Sequence, residues 1–511
     1  MEQKMFKKIL IANRGEVALR IIRACKELDV KTVAVYSEAD KESLHLKFAD
    51  ETHFIGAAQP SQSYLNIDKI IEVAKKSQCD AIHPGYGFLA QIPAFATACE
   101  KNKIKFIGPS SKVLKKMGNK LVARKTMAKA GVPVIPGTMD AIEDLEEAKD
   151  AAEKLGYPVI LKAVYGGGGR GMRVVADKSE MDKTFELARL EAQTSFGSSQ
   201  VYMEKQLTNP RHIEFQILAD EKGNVIHLGE RECSIQRKHQ KLMEETPSPM
   251  MTEELRKTMG NTTILAAKTV NYTNAGTVEY LVDKNGKFYF LEMNTRLQVE
   301  HLITEMVTGV DIVKAQIRIA AGETLQYKQG DITMHGHAIN CRINAEDPEK
   351  DFAPCPGTIT AYRVPGGPGV RVDSALYVGY TVPVFYDSLI AKLAVWGENR
   401  EEAIRRLRNA LEEYQIEGVE TTIPLLKRIV EDERFVKGEI DTGFLKDRIE
   451  IFAFEKRLKN EDIAAVIAAL IFSKRSKLSR ALLPERKFTA ASRWKFSEKR
   501  PIDFSDYRWG I

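Results

Sequence analysis

Residues 8–37, KILIANRGEVALRIIRACKELDVKTVAVYS, decide the fold of the first part of the chain. Two short apolar runs of strand type, 8–13 and 31–37, flank a segment of helical period at 15–29. Further strand-like runs, AIHPGYG and KFIGPS, follow before about residue 110. Strands that alternate with helices are typical of a parallel sheet with helices on its faces. The sequence therefore predicts an α/β domain at the N-terminus.

Composition and charge restrict the function. The chain has 511 residues, 43% hydrophobic and 29% charged, which is typical of a multidomain globular protein. It has no apolar run of membrane-spanning length and no signal peptide, so we expect a cytoplasmic protein without a membrane partner. Six cysteines without CxxC spacing argue against zinc sites and disulfides. Residues 448–511 hold 15 basic and 8 acidic residues, so the net charge of +6 belongs to this tail and nucleic-acid binding is not predicted.

Polar and apolar residues alternate in FLEMNTRLQVEH, residues 290–301. On an extended chain every second side chain shares a face. One face is therefore predicted to align Glu292, Asn294, Arg296, Gln298 and Glu300. Glu279, in the run GTVEYLV, lies one hairpin away, and carboxylates are ligands that Mg²⁺ takes beside phosphates. The stretch predicts a metal and phosphate site, with a half-solvated edge strand as the alternative.

Two further features bear on ligand binding. The stretch VYGGGGRGMRV, residues 164–174, places four consecutive glycines between strand-like runs, inside a small α/β segment at 138–204. By itself such a run is either a flexible connection or a phosphate-binding loop. Residues 13–16, Asn-Arg-Gly-Glu, lie where the first strand meets its helix, which is either an anion-binding corner or a capped turn.

Nine motifs together identify a family: ILIANRGEVALRIIRACKEL, HPGYGFL, GGGGRGMR, RHIEFQILAD, RECSIQRKHQK, EMNTRLQVEH, TEMVTGVD, GHAINCRINAEDP and YDSLIAKL. Through them the chain closely resembles the biotin carboxylases of the ATP-grasp superfamily, from about Lys7 to about Leu445. The resemblance implies an α/β and α+β multidomain fold. Its parts are a Rossmann-like domain (1–115), an ATP-grasp region (116–330) with a mobile lid at about 136–204, a biotin carboxylase C-terminal domain (331–447) and a basic subunit-interaction tail (448–511).

The resemblance also implies an activity. Enzymes of this family use ATP and bicarbonate to form carboxyphosphate, and then carboxylate the ureido nitrogen of biotin. ATP would be the co-substrate, Mg²⁺ or Mn²⁺ the metal, and biotin would be carried on a partner protein. Two alternatives remain: another ATP-grasp ligase of the carbamoyl-phosphate-synthetase type, and a non-catalytic ATP-binding subunit that keeps the fold.

Site roles are implied position by position. Nucleotide binding is implied for Lys120, Lys162, Gly168, Gly169, Glu204, Lys205, Leu207, His212, Gln236, His239, Glu279 and Glu292. Metal binding is implied for Glu279, Glu292 and Asn294. Contact with bicarbonate or biotin is implied for Lys241, Arg296, Gln298, Val299 and Arg342. Catalytic roles are implied for Lys241, for Arg296, which would stabilise developing negative charge, and for Glu300, which would deprotonate bicarbonate.

The chain departs from the family pattern at a few positions. The family commonly has a Glu-Asn pair after HPGYGFL, where this chain has Gln91 and Ile92, which puts the first domain's contact with the substrate pocket in question. Asn119 replaces an aspartate, and Tyr165 replaces a small residue before the glycines.

The sequence also predicts partners. No Met-Lys-Met tract occurs in the chain, so biotin is expected on a separate carrier protein. The resemblance implies a homodimeric subunit of an acetyl-CoA, propionyl-CoA or two-subunit pyruvate carboxylase. The tail includes the apolar run IAAVIAALIF at 463–472, and we expect it to bind the carrier or carboxyltransferase subunit.

Overall fold

The computed structural model describes residues 5–165 and 171–448, together with positions 468, 471 and 472 of the tail. The predicted lid glycines Gly168 and Gly169, and nearly all of the predicted interaction tail, lie outside the described residues. The elements below belong to one compact unit, Met1–Phe452. Within the described part of the chain, no helix has the length and apolar character needed to cross a bilayer.

The first sheet is parallel and has the strand order β3-β2-β1-β4-β5. Its strands are β1 Lys8–Ile11, β2 Lys31–Ser37, β3 Glu51–Gly56, β4 Ala81–His83 and β5 Lys105–Phe106. The helices between them are α1 Gly15–Glu27, α2 Leu44–Phe48, α3 Ile67–Lys76 and α4 Pro93–Lys101. Parallel neighbours need such crossovers, and helices on both faces leave Ile9, Leu10 and Ile11 of β1 without solvent contact. The predicted parallel-sheet domain is confirmed.

Two short helices lead out of this sheet, α5 Ser111–Gly118 and α6 Lys120–Lys129. Asn119 caps the second helix, because its side-chain oxygen accepts a hydrogen bond from the Val122 amide at 3.0 Å. Asparagine and aspartate cap helices about equally well, which explains why the family's aspartate can be replaced here. The cap places Lys120 at the first position of α6.

The lid segment is a three-stranded antiparallel sheet in the order β7-β6-β8, with two helices packed on it. Its elements are α7 Leu145–Leu155, β6 Val159–Ala163, β7 Met172–Val175, α8 Met181–Phe196 and β8 Val201–Lys205. Gly171 lies at the end of the glycine run with φ +67°, and a Cβ there would lie 2.9 Å from the Ala163 Cβ. Glycine is required at this position for both reasons.

A second, larger sheet is antiparallel throughout and has the order β13-β12-β9-β10-β11-β14-β21-β19. Its strands are β9 Arg211–Ala219, β10 Val225–Arg237, β11 Gln240–Thr246, β12 Asn274–Val282, β13 Phe288–Asn294, β14 His337–Asn344, β19 Val370–Ser374 and β21 Leu389–Gly397. Because β11 pairs with β14, one hydrogen-bonded sheet contains strands from both sides of the domain boundary predicted at residue 330. This pairing brings Arg342 next to the ATP-grasp strands.

The remaining elements cover this sheet or connect its strands. The helices are α9 Glu253–Thr269, α10 His301–Thr308, α11 Ile312–Ala320, α12 Arg400–Glu413, α13 Ile423–Glu431, α14 Glu433–Lys437 and α15 Phe444–Arg448. The short strands are β15 Glu346–Asp347, β16 Ala353–Pro354, β17 Gly357–Thr358, β18 Ala361–Arg363, β20 Thr381–Val382 and β22 Gln415–Glu417.

Candidate active site

The predicted acidic residues meet across neighbouring strands. Glu279 on β12 lies directly opposite Glu292 on β13, and the register shifts immediately afterwards, so that Tyr280 pairs with Phe290 and Leu291 is left over. Such a bulge re-aims the side chains of its strand and is common beside functional sites. Together with Asn294, the pair supplies two carboxylates and an amide oxygen, a donor set that fits Mg²⁺.

The extended face predicted for residues 292–300 is wrong beyond Asn294, where β13 ends. Residues 295–300 form a loop that leads into α10. Within this loop the Arg296 guanidinium donates to the side chains of Asn294 and Gln298 and to the carbonyl of Leu297, so a backbone acceptor of the kind that pairs with a neighbouring strand is bonded by the loop's own side chain. The loop still carries the predicted polar residues into one site.

Lys241 on β11 is the centre of the site. Its Nζ lies 2.5 Å from Glu214, 2.9 Å from Glu279 and 2.8 Å from Glu300, and all three carboxylates are buried. Burial by itself would lower the pKa of Lys241, but the surrounding thiol and carboxylates raise it well above its ordinary value. Lys241 is therefore a permanent cation.

Glu300 is held as a carboxylate. It has no solvent exposure, which alone would raise its pKa, but Lys241, Arg342 and Arg231 together lower that pKa well below its ordinary value. One oxygen faces Lys241 and the other accepts from Arg342 at 2.9 Å. Arg342 on β14 also donates to Glu244 at 2.8 Å. Lys241 and Arg342 therefore each contact at least one carboxylate besides Glu300.

Arg296 differs from the other cations because its hydrogen-bond partners are neutral. Its Nε donates to the side-chain oxygen of Gln91 at 2.8 Å, and its other nitrogens donate to Gln298, Leu297 and Asn294 at 2.9–3.1 Å. Burial lowers the pKa of this guanidinium, but an arginine stays charged in a protein. Its positive charge is therefore available to an anion in the site.

The predicted nucleotide lysines are carried by the lid sheet and by the start of α6. Lys162 on β6 donates to Glu204 on β8 at 2.5 Å, and Arg124 on α6 donates to the other oxygen of Glu204 at 2.8 Å. All three side chains are buried. Burial lowers the pKa of Lys120, against the opposing charge of Glu292. These groups form a cationic end beside the lid sheet.

The histidine and glutamine predicted to line the nucleotide site are linked to the acidic centre. The Nε2 of His212 lies 2.9 Å from Glu279, and Gln236 donates to its Nδ1 at 2.7 Å. A ring that accepts at Nδ1 and faces a carboxylate with Nε2 is the neutral tautomer with the proton on Nε2. The imidazole therefore fixes the orientation of Glu279.

Three other residues predicted to bind the nucleotide lie on the β10–β11 hairpin or at the end of β8. His239 is exposed at the tip of the β10–β11 hairpin with φ +66°, and packing around the ring together with Lys162 lowers its pKa. Lys205 turns its ammonium to the carbonyls of Gly156 and Tyr157, at 2.8 and 2.9 Å, so this side chain ties the lid sheet to the preceding loop. Leu207 is half-buried directly after β8.

Sequence reasoning missed several residues of the site. Glu214 could have been found, since alternation in RHIEFQILAD places it on the same strand face as His212. Arg124 lies one helical turn after Lys120 and shares its face. Arg231 is fully buried against Glu214 at 2.6 Å, and Glu244 had no signal in the sequence. Gln91 was singled out only as a departure from the family pattern, without a contact partner.

The corner at residues 13–16 has a structural role in this fold. Asn13 donates to the carbonyls of Pro84 and Tyr86, both at 2.7 Å, and Arg14 makes two hydrogen bonds with Asp40 at 2.7 Å. Glu16 lies 3.0 Å from Lys392, whose ammonium also donates to the Val299 carbonyl at 3.3 Å. These contacts brace the turn internally, but none of them caps the helix, because Arg14, the N-cap residue of α1, makes no side-chain capping hydrogen bond.

Three family models match the chain. They are the biotin carboxylase N-terminal domain over residues 5–114, the ATP-binding domain of the carbamoyl-phosphate synthase L chain over 119–328, and the biotin carboxylase C-terminal domain over 340–447. The flanking models favour a biotin carboxylase over another ATP-grasp ligase.

Relatives and solved structures agree. A pyruvate carboxylase subunit of Methanothermobacter thermautotrophicus is 56% identical over 489 residues, which is 96% of this chain and 98% of that protein. Biotin carboxylase 1 of Bacillus subtilis is 55% identical and covers 86% of this chain and 98% of its own.

The biotin carboxylase domain dimer of the Hydrogenobacter thermophilus 2-oxoglutarate carboxylase, solved with MgADP, ADP and bicarbonate, is 52% identical with a TM-score of 0.86. It covers 89% of this chain and all of that chain. A biotin carboxylase of Campylobacter jejuni in complex with β,γ-ATP is 50% identical with a TM-score of 0.85, over 87% of this chain and 99% of that one. On the site geometry, the family models and this identity, the chain belongs to the biotin carboxylases.

Proposed function

We propose that this biotin carboxylase uses ATP and bicarbonate to carboxylate biotin on a separate carrier protein, the first half-reaction of a larger carboxylase. The observation that carries the assignment of roles is the position of Glu300, a buried carboxylate between Lys241 and Arg342. A fully buried carboxylate with two cationic partners is a group held in its proton-accepting form. Such groups cluster at catalytic sites.

Glu300 is the general base for bicarbonate. Its low pKa in the free enzyme reflects Lys241 and Arg342. An anion that binds beside these cations offsets their charge, so the pKa of Glu300 rises when bicarbonate is present, and its basicity increases where it is needed. Lys241, Arg296, Gln298 and the Val299 backbone form the bicarbonate pocket in this proposal.

Arg296 stabilises the charge that develops during carboxylation. Its hydrogen-bond partners are neutral, so none of its N–H groups is committed to a carboxylate, although the charges of Glu300, Glu279 and Glu292 act on it against burial. Preorganised positive charge of this kind is commonly the largest contribution to transition-state stabilisation. Arg342 takes the biotin side of the pocket and receives the released phosphate.

The nucleotide lies at the cationic end. Lys120 and Lys162 face the phosphates, and Glu204, Lys205 and Leu207 form the hinge for the adenine. The resemblance also assigns nucleotide binding to Gly168 and Gly169, which lie outside the described residues. His212, Gln236 and His239 line the same site. Glu279, Glu292 and Asn294 would hold Mg²⁺, or Mn²⁺ in its place, and the bound ion would supply charge neutralisation for phosphoryl transfer.

We infer that the parent enzyme is a two-subunit pyruvate carboxylase. The match to the Methanothermobacter pyruvate carboxylase subunit spans 489 residues, so it must run into the sequence beyond residue 448, whereas the match to the Bacillus protein spans 443. The shared tail is the feature that supports this parent over an acyl-CoA carboxylase. The partners are then a biotin carrier and a carboxyltransferase subunit, with a homodimer of this chain inside the complex.

The test of the reaction is ATP cleavage with free biotin in buffer freed of dissolved CO₂. We expect ADP release to require Mg²⁺ and bicarbonate and to rise with biotin. Equal rates with and without bicarbonate would contradict the proposed reaction and would favour a different ATP-grasp ligase. Loss of ADP release altogether, with ATP still bound, would favour a non-catalytic subunit.

A further inference from the structure

Arg296 is held by four neutral oxygen atoms, and one of them comes from a distant part of the chain. Gln298, Leu297 and Asn294 belong to its own loop, whereas Gln91 precedes it by 205 residues. Among the described residues no carboxylate hydrogen-bonds this guanidinium, in contrast to Lys241 and Arg342, which each have at least two carboxylate contacts. The partner set of Arg296 is therefore a specific feature of the site.

The orientation of the Gln91 amide follows from chemistry. Arginine only donates hydrogen bonds, so the amide oxygen of Gln91 must face the Arg296 Nε at 2.8 Å. The amide nitrogen then faces the buried Thr295 hydroxyl at 3.4 Å. Both ends of the amide are engaged on the same loop, so Gln91 fixes the plane of the guanidinium.

Gln91 is itself presented by a braced turn between β4 and α4. Asn13 donates to the carbonyls of Pro84 and Tyr86, and the turn closes through Ala90 to Gly87 at 2.9 Å. Asn13 is buried, and Gly85 packs so close to it that a Cβ would lie 3.0 Å from the asparagine nitrogen. The first sheet therefore sets the position of Gln91 independently of the loop that carries Arg296.

We propose that Gln91 is a positioning residue that orients Arg296 for bicarbonate through a neutral acceptor, without adding a further negative charge beside the guanidinium. This inference rests on the role proposed for Arg296. It gives the departure from the family's glutamate a consequence: a carboxylate at position 91 would keep the orientation but would compensate the charge. The orientation of the Arg296 guanidinium should then determine kcat. A negative charge at position 91 should instead change the KM for bicarbonate.

Two substitutions separate these effects. Gln91→Leu removes the acceptor, and we expect kcat to fall about 10- to 100-fold, the scale of one hydrogen bond to a charged group. Gln91→Glu keeps an acceptor, and we expect kcat near that of the wild type with the KM for bicarbonate raised about 10-fold. The KM for ATP should be unchanged in both. Ile92→Asn is the matched control, because this neighbouring side chain is exposed and, being apolar, does not hydrogen-bond Arg296.

The assay is bicarbonate-dependent ADP release with free biotin on the full chain, with thermal unfolding as a check on folding. Arg296→Ala in the same series tests the underlying role: full activity in that variant would overturn the role of Arg296 and this inference together. Impaired Arg296→Ala with wild-type kinetics in both Gln91 variants would overturn only the role of Gln91. A Gln91→Glu variant whose KM for ATP rises as much as that for bicarbonate would also overturn it, and this isosteric change stays informative if Gln91→Leu fails to fold.

Discussion

Replacing Glu300 by glutamine is the sharpest test of the proposed base. The substitution keeps the shape of the side chain but removes the proton acceptor and one negative charge. In the wild type the carboxylate accepts from Lys241 at 2.8 Å and from Arg342 at 2.9 Å. Both partners only donate, so the amide nitrogen of a glutamine must face one of them and one hydrogen bond is lost.

The size of the two effects follows from the contacts. Loss of a general base costs about 10²- to 10⁴-fold in rate. Breaking a buried ion pair commonly costs about 3–5 kcal/mol of stability. Here Lys241 keeps Glu214 and Glu279, and Arg342 keeps Glu244, so no cation is left unpaired. We therefore expect a stability loss of only about 1–3 kcal/mol, the range for one hydrogen bond to a charged group.

Glu305→Gln is the matched control. Glu305 is also buried and accepts from two arginines, at 2.9 Å from Arg20 and 2.7 Å from Arg371. It is not one of the carboxylates that contact Lys241. Chemical denaturation should show a comparable loss of stability in both variants. Biotin carboxylation should be lost only in Glu300→Gln, and calorimetric ATP affinity should match the wild type in both.

The reasoning is refuted by either of two results. If Glu300→Gln retains more than a tenth of the wild-type rate, Glu300 is not the base. If its ATP affinity falls as far as its rate, the carboxylate supports the whole site rather than the proton transfer.

Four other predictions follow from the contacts and the sequence. Arg296→Ala should lower kcat at least about 10²-fold with little change in ATP affinity; equal losses in both would contradict its role. Chelation of divalent metal should stop ADP release, and added Mg²⁺ should restore it; activity in excess chelator would contradict the metal site. Burial alone would raise the pKa of Glu245, but His337 and Arg400 lower it to about 2 from an ordinary 4.5, so this carboxylate stabilises the fold above pH 4.5 and that stability is lost as pH falls towards 2. The difference in unfolding free energy between wild type and Glu245→Gln should shrink by on the order of 3 kcal/mol over that range, and a pH-independent difference would contradict it. Truncation after Asp447 should preserve free-biotin carboxylation but prevent co-purification of the complex; assembly at wild-type affinity would overturn the role of the tail.

Much of the site could be predicted from residues that are close in sequence. Alternation placed Glu292 and Asn294 on one strand face, and the hairpin to Glu279 followed from the short connection between β12 and β13. The parallel N-terminal sheet followed from alternating strand and helix periods. These predictions succeed because period and short-range pairing are local properties of the chain.

Local patterns failed where the chain leaves regular structure. Alternation suggested one continuous strand to Glu300, but β13 ends at Asn294, and Arg296 donates to the Leu297 carbonyl within the loop that follows. A period of two is typical of backbone that is paired with another strand. The alternation of polar and apolar residues does not indicate the residue at which that pairing ends.

The sequence by itself therefore determined the family, the parallel sheet and the inventory of charged groups. Only the tertiary structure decided which of these charged groups contact one another. Arg342 reaches Glu300 because β14 pairs with β11 across the chain, and Gln91 reaches Arg296 over 205 residues. Whether Glu300 is a carboxylate and which acceptors face the Arg296 guanidinium depend on burial and on these distant partners, because electrostatic energies at a buried site are set by distance and solvent exclusion rather than by order along the chain.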